Sequence, residues 1–343
     1  MNTITEDRNR KHLALWLFVC SALIFAMVVL GGVTRLTRSG LSMVEWSPIM
    51  GIVPPIGESQ WLATFEKYKA FPEYQKTNKG MDLDGFKSIF YLEYFHRVLG
   101  RLIGLAFLVP FLVFLFRKKI PMELTSRLVI MFFLGGLQGL LGWYMVKSGL
   151  VDKPHVSQYR LTAHLSTALL IYGFILWVGC SLFFTQTRGT ITPALQRFSL
   201  GVTAVISIMI LSGGFVAGTK AGFVFNTFPK MNGNWIPEGY LAMQPWLINF
   251  FENVATIQFN HRLLALILFL LIPAFWFYSR KTDLPPLTRT LILLLSGMLV
   301  IQVGLGIATL VYVVPVALGA LHQAGALVLF SLALMINQRL FLS

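Results

Sequence analysis

The sequence predicts an all-α integral membrane protein of eight transmembrane helices, arranged as two parallel four-helix repeats related by a pseudo-twofold axis along the membrane normal. Three observations predict it. Hydrophobic residues make up 56% of the 343 and charged residues only 12%. Apolar runs of about 20 residues, the length that crosses a bilayer core, recur along the chain. Motifs of the first half return in the second at matching spacings.

The spans run approximately over 13–33, 98–116, 128–146, 161–184, 198–218, 259–278, 287–311 and 316–336. The formal charge of +14 could suggest nucleic acid, but its distribution argues for topology instead. Basic residues concentrate in alternate connections: Arg8, Arg10 and Lys11; Arg117, Lys118, Lys119 and Arg127; Arg188 and Arg197; Arg280, Lys281 and Arg289; and Arg339. That side is cytoplasmic by the positive-inside rule, both termini lie there, and the expected surroundings are membrane lipid, with no nucleic-acid partner. The stretch 34–92 holds seven Lys and Arg and six acids before Glu93. It is placed outside because long loops translocate largely regardless of charge. Whether it is a folded cap or a flexible loop the sequence leaves open. The lead MNTITEDRNRKH has neither a small-residue cleavage motif nor a transit-peptide composition, which favours a bacterial inner-membrane protein over an imported organellar one.

The repeat orders the rest. Gly31-Gly32 followed by Thr37-Arg38-Ser39-Gly40 is matched by Gly213-Gly214 followed by Thr219-Lys220-Ala221-Gly222. Glu93-Tyr-Phe-His96-Arg97 is matched by Gln258-Phe-Asn-His261-Arg262, and Leu137-Gln138-Gly139 with Leu141-Gly142 by Ile301-Gln302-Val303 with Leu305-Gly306. His164 answers His322, and a Trp-x-Pro occurs in both outer loops, at Trp46 to Pro48 and Trp235 to Pro237. A unit of four spans enters the membrane with the same orientation each time, so the halves, 1–190 and 191–343, are parallel.

His96, His164, His261 and His322 each stand at the opening of an apolar helix that begins at the outer face, within roughly two turns of it at the 1.5 Å rise per residue. A histidine is costly in a bilayer unless something binds it, so four in equivalent places point to two bis-histidine metal sites. Neither half offers a nearby cysteine or carboxylate cluster to complete a tetrahedral zinc site, whereas two imidazoles suit the axial positions of haem iron. No C-x-x-C-H occurs, and Cys20 and Cys180 both fall within spans, so neither covalent haem attachment nor a disulfide framework is indicated. The glycines of the third and seventh spans, Gly135, Gly136, Gly139, Gly142, Gly304 and Gly306, are expected first as small-residue helix packing, which is compatible with room for a flat macrocycle. His12 and His155 are expected to be ordinary solvated residues.

Symmetry breaks at Glu93, whose counterpart is Gln258. A carboxylate one turn before His96 suggests that only the N-terminal haem is acted on, although an outer-edge ion pair with Arg97 or Lys87 would also explain it. Arg97 and Arg262 could meet haem propionates or, by default, lipid phosphates.

These residues together closely resemble the haem A synthase family. The matching elements are Gly31-Gly32-Val-Thr-Arg-Leu-Thr-Arg-Ser-Gly-Leu-Ser with Glu45-Trp46-Ser-Pro, Glu93-Tyr-Phe-His96-Arg97, Ala163-His164, the Phe225-Asn-Thr-Phe-Pro-Lys-Met loop, Asn260-His261-Arg262 and Leu321-His322-Gln323. The resemblance implies oxidation of the C8 methyl group of haem O, through hydroxymethyl, to the formyl group of haem A, for supply to terminal oxidases. It implies haem b as cofactor on His261 and His322, substrate haem at His96 and His164, and Glu93 as the acid associated with catalysis. Haem O synthase and an unidentified electron partner are the implied partners. One branch of the family carries cysteine pairs in its outer loops, and this chain resembles the branch that lacks them. Two other classes remain. A dihaem b-type electron carrier would need the four histidines but not Glu93, and would ordinarily set its haems near opposite faces. A transporter built from parallel repeats would leave the histidines without a purpose.

Overall fold

The computed structural model describes residues 2–45, 53–149, 156–184 and 191–341. Eight helices are long and apolar enough to cross a membrane. They are α1 (Asn2–Leu36), α4 (Leu83–Phe116), α5 (Met122–Gly149), α6 (Gln158–Phe183), α7 (Pro193–Gly218), α8 (Val254–Ser279), α9 (Pro286–Val311) and α10 (Val316–Phe341), with the short α2 (Glu58–Lys69) and α3 (Pro72–Lys76) between α1 and α4. Among the described residues there is no strand. The expected division at residue 190 falls among residues outside those described, as do His155 and the Trp46 to Pro48 motif.

Local chemistry sets the helix ends. Asp82 caps α4 by accepting the Gly85 N–H at 2.8 Å, and Asn253 caps α8 by accepting the Thr256 N–H at 3.1 Å. The repeated Thr-Arg/Lys-x-Gly motif is a helix stop. Arg38 (φ 55°) and Lys220 (φ 58°) turn into the left-handed region, and the Ser39 N–H returns to the Thr34 carbonyl at 2.9 Å. α4 begins at Leu83, well before the expected span, so His96 lies inside a helix that runs on beyond the apolar segment and not at its mouth. The amphipathic lead 83–92 merges with the apolar run behind it, and periodicity alone does not separate them.

The helices α1, α6, α7 and α10 form the centre. On one side α1 packs on α4 and α6, and α5 on α6; on the other α7 packs on α8 and α10, and α9 on α10. Between the sets, α1 meets α10 and α6 meets α7 and α10. Because lipid is as apolar as leucine, close packing and hydrogen bonds drive association here, the latter at about 0.6 kcal/mol each on average. Gly179 lies against Phe18 and Gly173 against Phe330, while Tyr172 Oη and Ser331 Oγ meet at 2.6 Å. Gln323 of α10 donates to the Val28 carbonyl of α1 at 2.7 Å.

The described part of the long connection is a folded cap. Trp61, Phe65 and Tyr68 of α2 pack on Phe86 and Phe90 of α4 as a separate aromatic core. Glu73 of α3 is buried beneath it, within the electrostatic reach of both Arg38 and Lys220.

Candidate functional site

All four histidines lie at the end of the bundle where α1, α5, α7 and α9 finish and α4, α6, α8 and α10 begin. Each ring is seated on a glycine of a neighbouring helix. A β-carbon at Gly31 would stand 3.2 Å from His96, at Gly142 3.0 Å from His164, at Gly213 3.4 Å from His261 and at Gly306 2.9 Å from His322. His96 on α4 and His164 on α6 are close enough to interact electrostatically, as are His261 on α8 and His322 on α10. The structure thus brings together both expected pairs. His12 is exposed on α1, as expected of a solvated residue.

The ring nitrogens are held differently in the two pairs. His261 Nδ1 lies 3.2 Å from the Ser212 hydroxyl, and His322 Nδ1 lies 3.1 Å from the Gln302 amide, which also donates to the His322 carbonyl at 2.8 Å. Both C-terminal rings are therefore held at Nδ1. In the other pair Gln138 meets Nε2 of His164 at 3.4 Å and donates to its carbonyl at 3.1 Å, while His164 Nδ1 is buried without a partner.

Glu93 and Arg97 form a clamp. Glu93, 3% exposed, accepts from the Ser42 hydroxyl and the Met43 N–H, each at 2.8 Å, and pairs with Arg97, whose Nε lies 3.1 Å from Oε1. Arg97 also donates to the Met43 carbonyl at 2.8 Å and the Glu45 carbonyl at 3.3 Å. Gln258 and Arg262 repeat the arrangement. Gln258 donates to the Ala221 carbonyl at 2.9 Å, and Arg262 donates to those of Phe225, Thr227 and Pro229. Both guanidinium groups are engaged with loop carbonyls, and Arg97 with Glu93 as well. Lys87 pairs with Asp84, not with Glu93.

The residues fit a porphyrin. Each site offers two imidazoles, and among the described residues no group of three or more His, Cys, Asp or Glu could hold a metal ion unaided. A porphyrin supplies four nitrogens of its own and needs two axial ligands. Helix packing, the first expectation for the glycines, does not account for Gly135, Gly136, Gly139 or Gly304, where a β-carbon would meet nothing within 4 Å. These four glycines are exposed on α5 and α9, so no protein side chain packs on them. Gly142 and Gly306 serve the histidines instead.

Sequence reasoning did not single out Ser212, Ser42 or Met43. The signal for Ser212 was present, since it immediately precedes Gly213-Gly214 where Leu30 precedes Gly31-Gly32. Ser42 and Met43 act through a loop conformation that spacing does not reveal.

The fold defines a multi-pass, helical membrane protein with two pairs of histidines gathered at one end. The chain belongs to the COX15-CtaA family, described as cytochrome oxidase assembly protein, whose family model matches residues 14–334. It is 54% identical to the haem A synthase of Nitrosospira multiformis over 96% of this chain and 94% of that protein. It is 46% identical to haem A synthase COX15 of Arabidopsis thaliana over 96% of this chain and 75% of that protein, and 45% identical to haem A synthase COX15 of Bos taurus over 95% and 81% respectively.

Proposed function

We propose that this protein is an oxidoreductase that converts haem O to haem A, taking the C8 methyl group through hydroxymethyl to formyl. The observation that carries the reading is the doubled histidine-on-glycine arrangement with a buried carboxylate in one half only. The relatives named as haem A synthases support it.

His261 and His322 would hold haem b, and His96 and His164 would face the substrate haem. The cofactor supplies reversible electron storage beside the substrate site. The Ser212 contact at Nδ1 would leave Nε2 of His261 free to hold iron, which suits a resident cofactor. The less constrained N-terminal pair suits a porphyrin that must enter and leave. With water as the source of the added oxygen atom, methyl to hydroxymethyl and hydroxymethyl to formyl would each release two protons and two electrons, the electrons passing to the electron partner, and Glu93 would be the acid of that half. Its oxygens already serve Ser42, Met43 and Arg97, so taking up a proton would loosen its grip on the segment 39–45. Proton transfer and loop position are coupled through this one carboxylate.

The halves 1–190 and 191–343 are parallel repeats in this reading, set in a bacterial inner membrane with both termini cytoplasmic. All four histidines then lie toward the outer face, where haem O synthase can pass substrate laterally and an electron partner can dock. Their location at one end also disfavours a dihaem carrier that moves charge across the membrane. Membranes containing the protein should form haem A from added haem O, followed by chromatography of extracted haems. Bound haem without any haem A formation would hand the case to the electron carrier.

A further inference from the structure

We infer that Ser212 is the positioning residue that fixes His261 as a permanent haem ligand, and that Leu30 at the matching place leaves His96 free to exchange its porphyrin. The inference rests on the assignment of haem b to the C-terminal pair.

Ser212 does not make the local hydrogen bond that several serines of these helices make. Ser166, Ser207, Ser296 and Ser331 each donate to the carbonyl four residues back. That is the default for a hydroxyl in an apolar helix, because it satisfies the group locally. Among the described residues the one side-chain hydrogen bond of Ser212 is to His261 Nδ1 at 3.2 Å. Its surroundings strengthen the choice. Ser212 lines a groove of about 220 Å³ with Ile208, Leu211, Phe215, Ile257 and Leu264, where Asn260 is the other polar residue. A hydroxyl among such side chains gains most from the polar atom within reach, and here that atom is the ring nitrogen.

A hydrogen bond at one imidazole nitrogen sets the tautomer and the orientation of the other. With Nδ1–H donating to Ser212, Nε2 carries the lone pair that iron requires, and the ring is turned before any haem arrives. Gln302 holds the His322 ring differently, because its amide N–H faces Nδ1 as a donor and does not set the tautomer that Ser212 sets at His261. In the N-terminal half Gln138 reaches Nε2 of His164, and residue 30 is a leucine that offers His96 no hydrogen bond. The repeat therefore distinguishes a retained haem from a passing one by a hydroxyl that the first helix of the second unit carries and that of the first unit lacks.

The test uses purified full-length protein in detergent, with apomyoglobin as haem acceptor and electron paramagnetic resonance of the oxidised haem. Outer partners of metal-bound histidine are typically worth about 10–100-fold in affinity. Ser212→Ala should therefore release haem b about tenfold faster or more and shift its low-spin signal, and Ser212→Thr, which keeps the hydroxyl, should restore both. Unchanged release and an unchanged signal in Ser212→Ala, with haem lost from His261→Ala, would overturn the inference while leaving the haem assignment intact. Wild-type protein without haem, or haem indifferent to His261→Ala, would overturn the assignment itself. Leu30→Ser provides an independent readout, because it should raise bound haem per protein by slowing loss from the N-terminal site; no rise would count against the role given to residue 30.

Discussion

Glu93 and Gln258 occupy matching places in α4 and α8 but grip the preceding segment with opposite polarity: Glu93 accepts the Met43 N–H at 2.8 Å, whereas Gln258 donates to the Ala221 carbonyl at 2.9 Å. Each is followed four residues later by an arginine that reaches the same segment. One clamp is an ion pair and the other a neutral amide. Breaking a buried ion pair by removing one partner costs about 3–5 kcal/mol, while a typical neutral hydrogen bond contributes about 0.5–1.5 kcal/mol.

Glu93→Gln leaves Arg97 buried without its anion. We expect a clear loss of thermal stability, larger than that from Gln258→Ala, with haem O or its hydroxymethyl product accumulating and haem b retained in the C-terminal half. Thermal unfolding and chromatography of extracted haems measure the two effects. Haem A at the wild-type level in Glu93→Gln would reject an essential role for the carboxylate.

The glycines beneath the histidines make a graded prediction. Gly306→Val drives a β-carbon to 2.9 Å from the His322 ring and should abolish the low-spin haem spectrum. Gly142→Val meets His164 at 3.0 Å and should stop haem A formation with that spectrum intact. Gly201→Ala, where nothing lies within 4 Å, should change neither. Absorption spectra and haem analysis of the three proteins distinguish these outcomes.

The charge distribution makes a topological prediction. Single cysteines at Lys76 and Asn232 should react with an impermeant reagent from the periplasmic side, and those at Lys118 and Lys281 only after the membrane is opened. Cys20 and Cys180 are buried and should give little background. Labelling at Lys118 in intact cells would overturn the orientation.

Glu73 governs the pH response of the cap. Burial pushes its carboxyl above the ordinary range, with Arg38 and Lys220 pulling it back. The folded cap therefore binds this proton more tightly than the unfolded chain. That stability is fully present below the ordinary carboxylate value and is lost as pH rises through the raised one. Hydrogen exchange across 58–76 should show more protection in mild acid than at neutral pH, and Glu73→Gln should reduce that difference. Greater protection at neutral pH in the wild type would show the sign to be wrong.

Much of this was legible in the chain. Histidines are costly in lipid, and the recurrence of His96, His164, His261 and His322 pointed to the two pairs that the fold brings together. The turn around Arg38 and Lys220 was visible as a repeat, but its role as a helix stop depends on backbone angles. Trp61, Phe65 and Tyr68 recur at helical spacing, but that they fold onto Phe86 and Phe90 as a cap depends on a long-range contact the local pattern leaves open. The position of Gly142 against His164 was not readable, because composition does not separate a glycine that packs a helix from one that seats a ring. The engagement of Arg97 depended on where the chain returns after α1, which no local pattern specifies.

The division of labour between the histidine pairs is tested most directly by the haem content and product of two double variants, purified from cells that supply haem O. We predict that His96→Ala/His164→Ala keeps low-spin haem b and makes no haem A, while His261→Ala/His322→Ala loses the bound haem b. The reverse, with haem b lost from the first and kept by the second, would contradict the account.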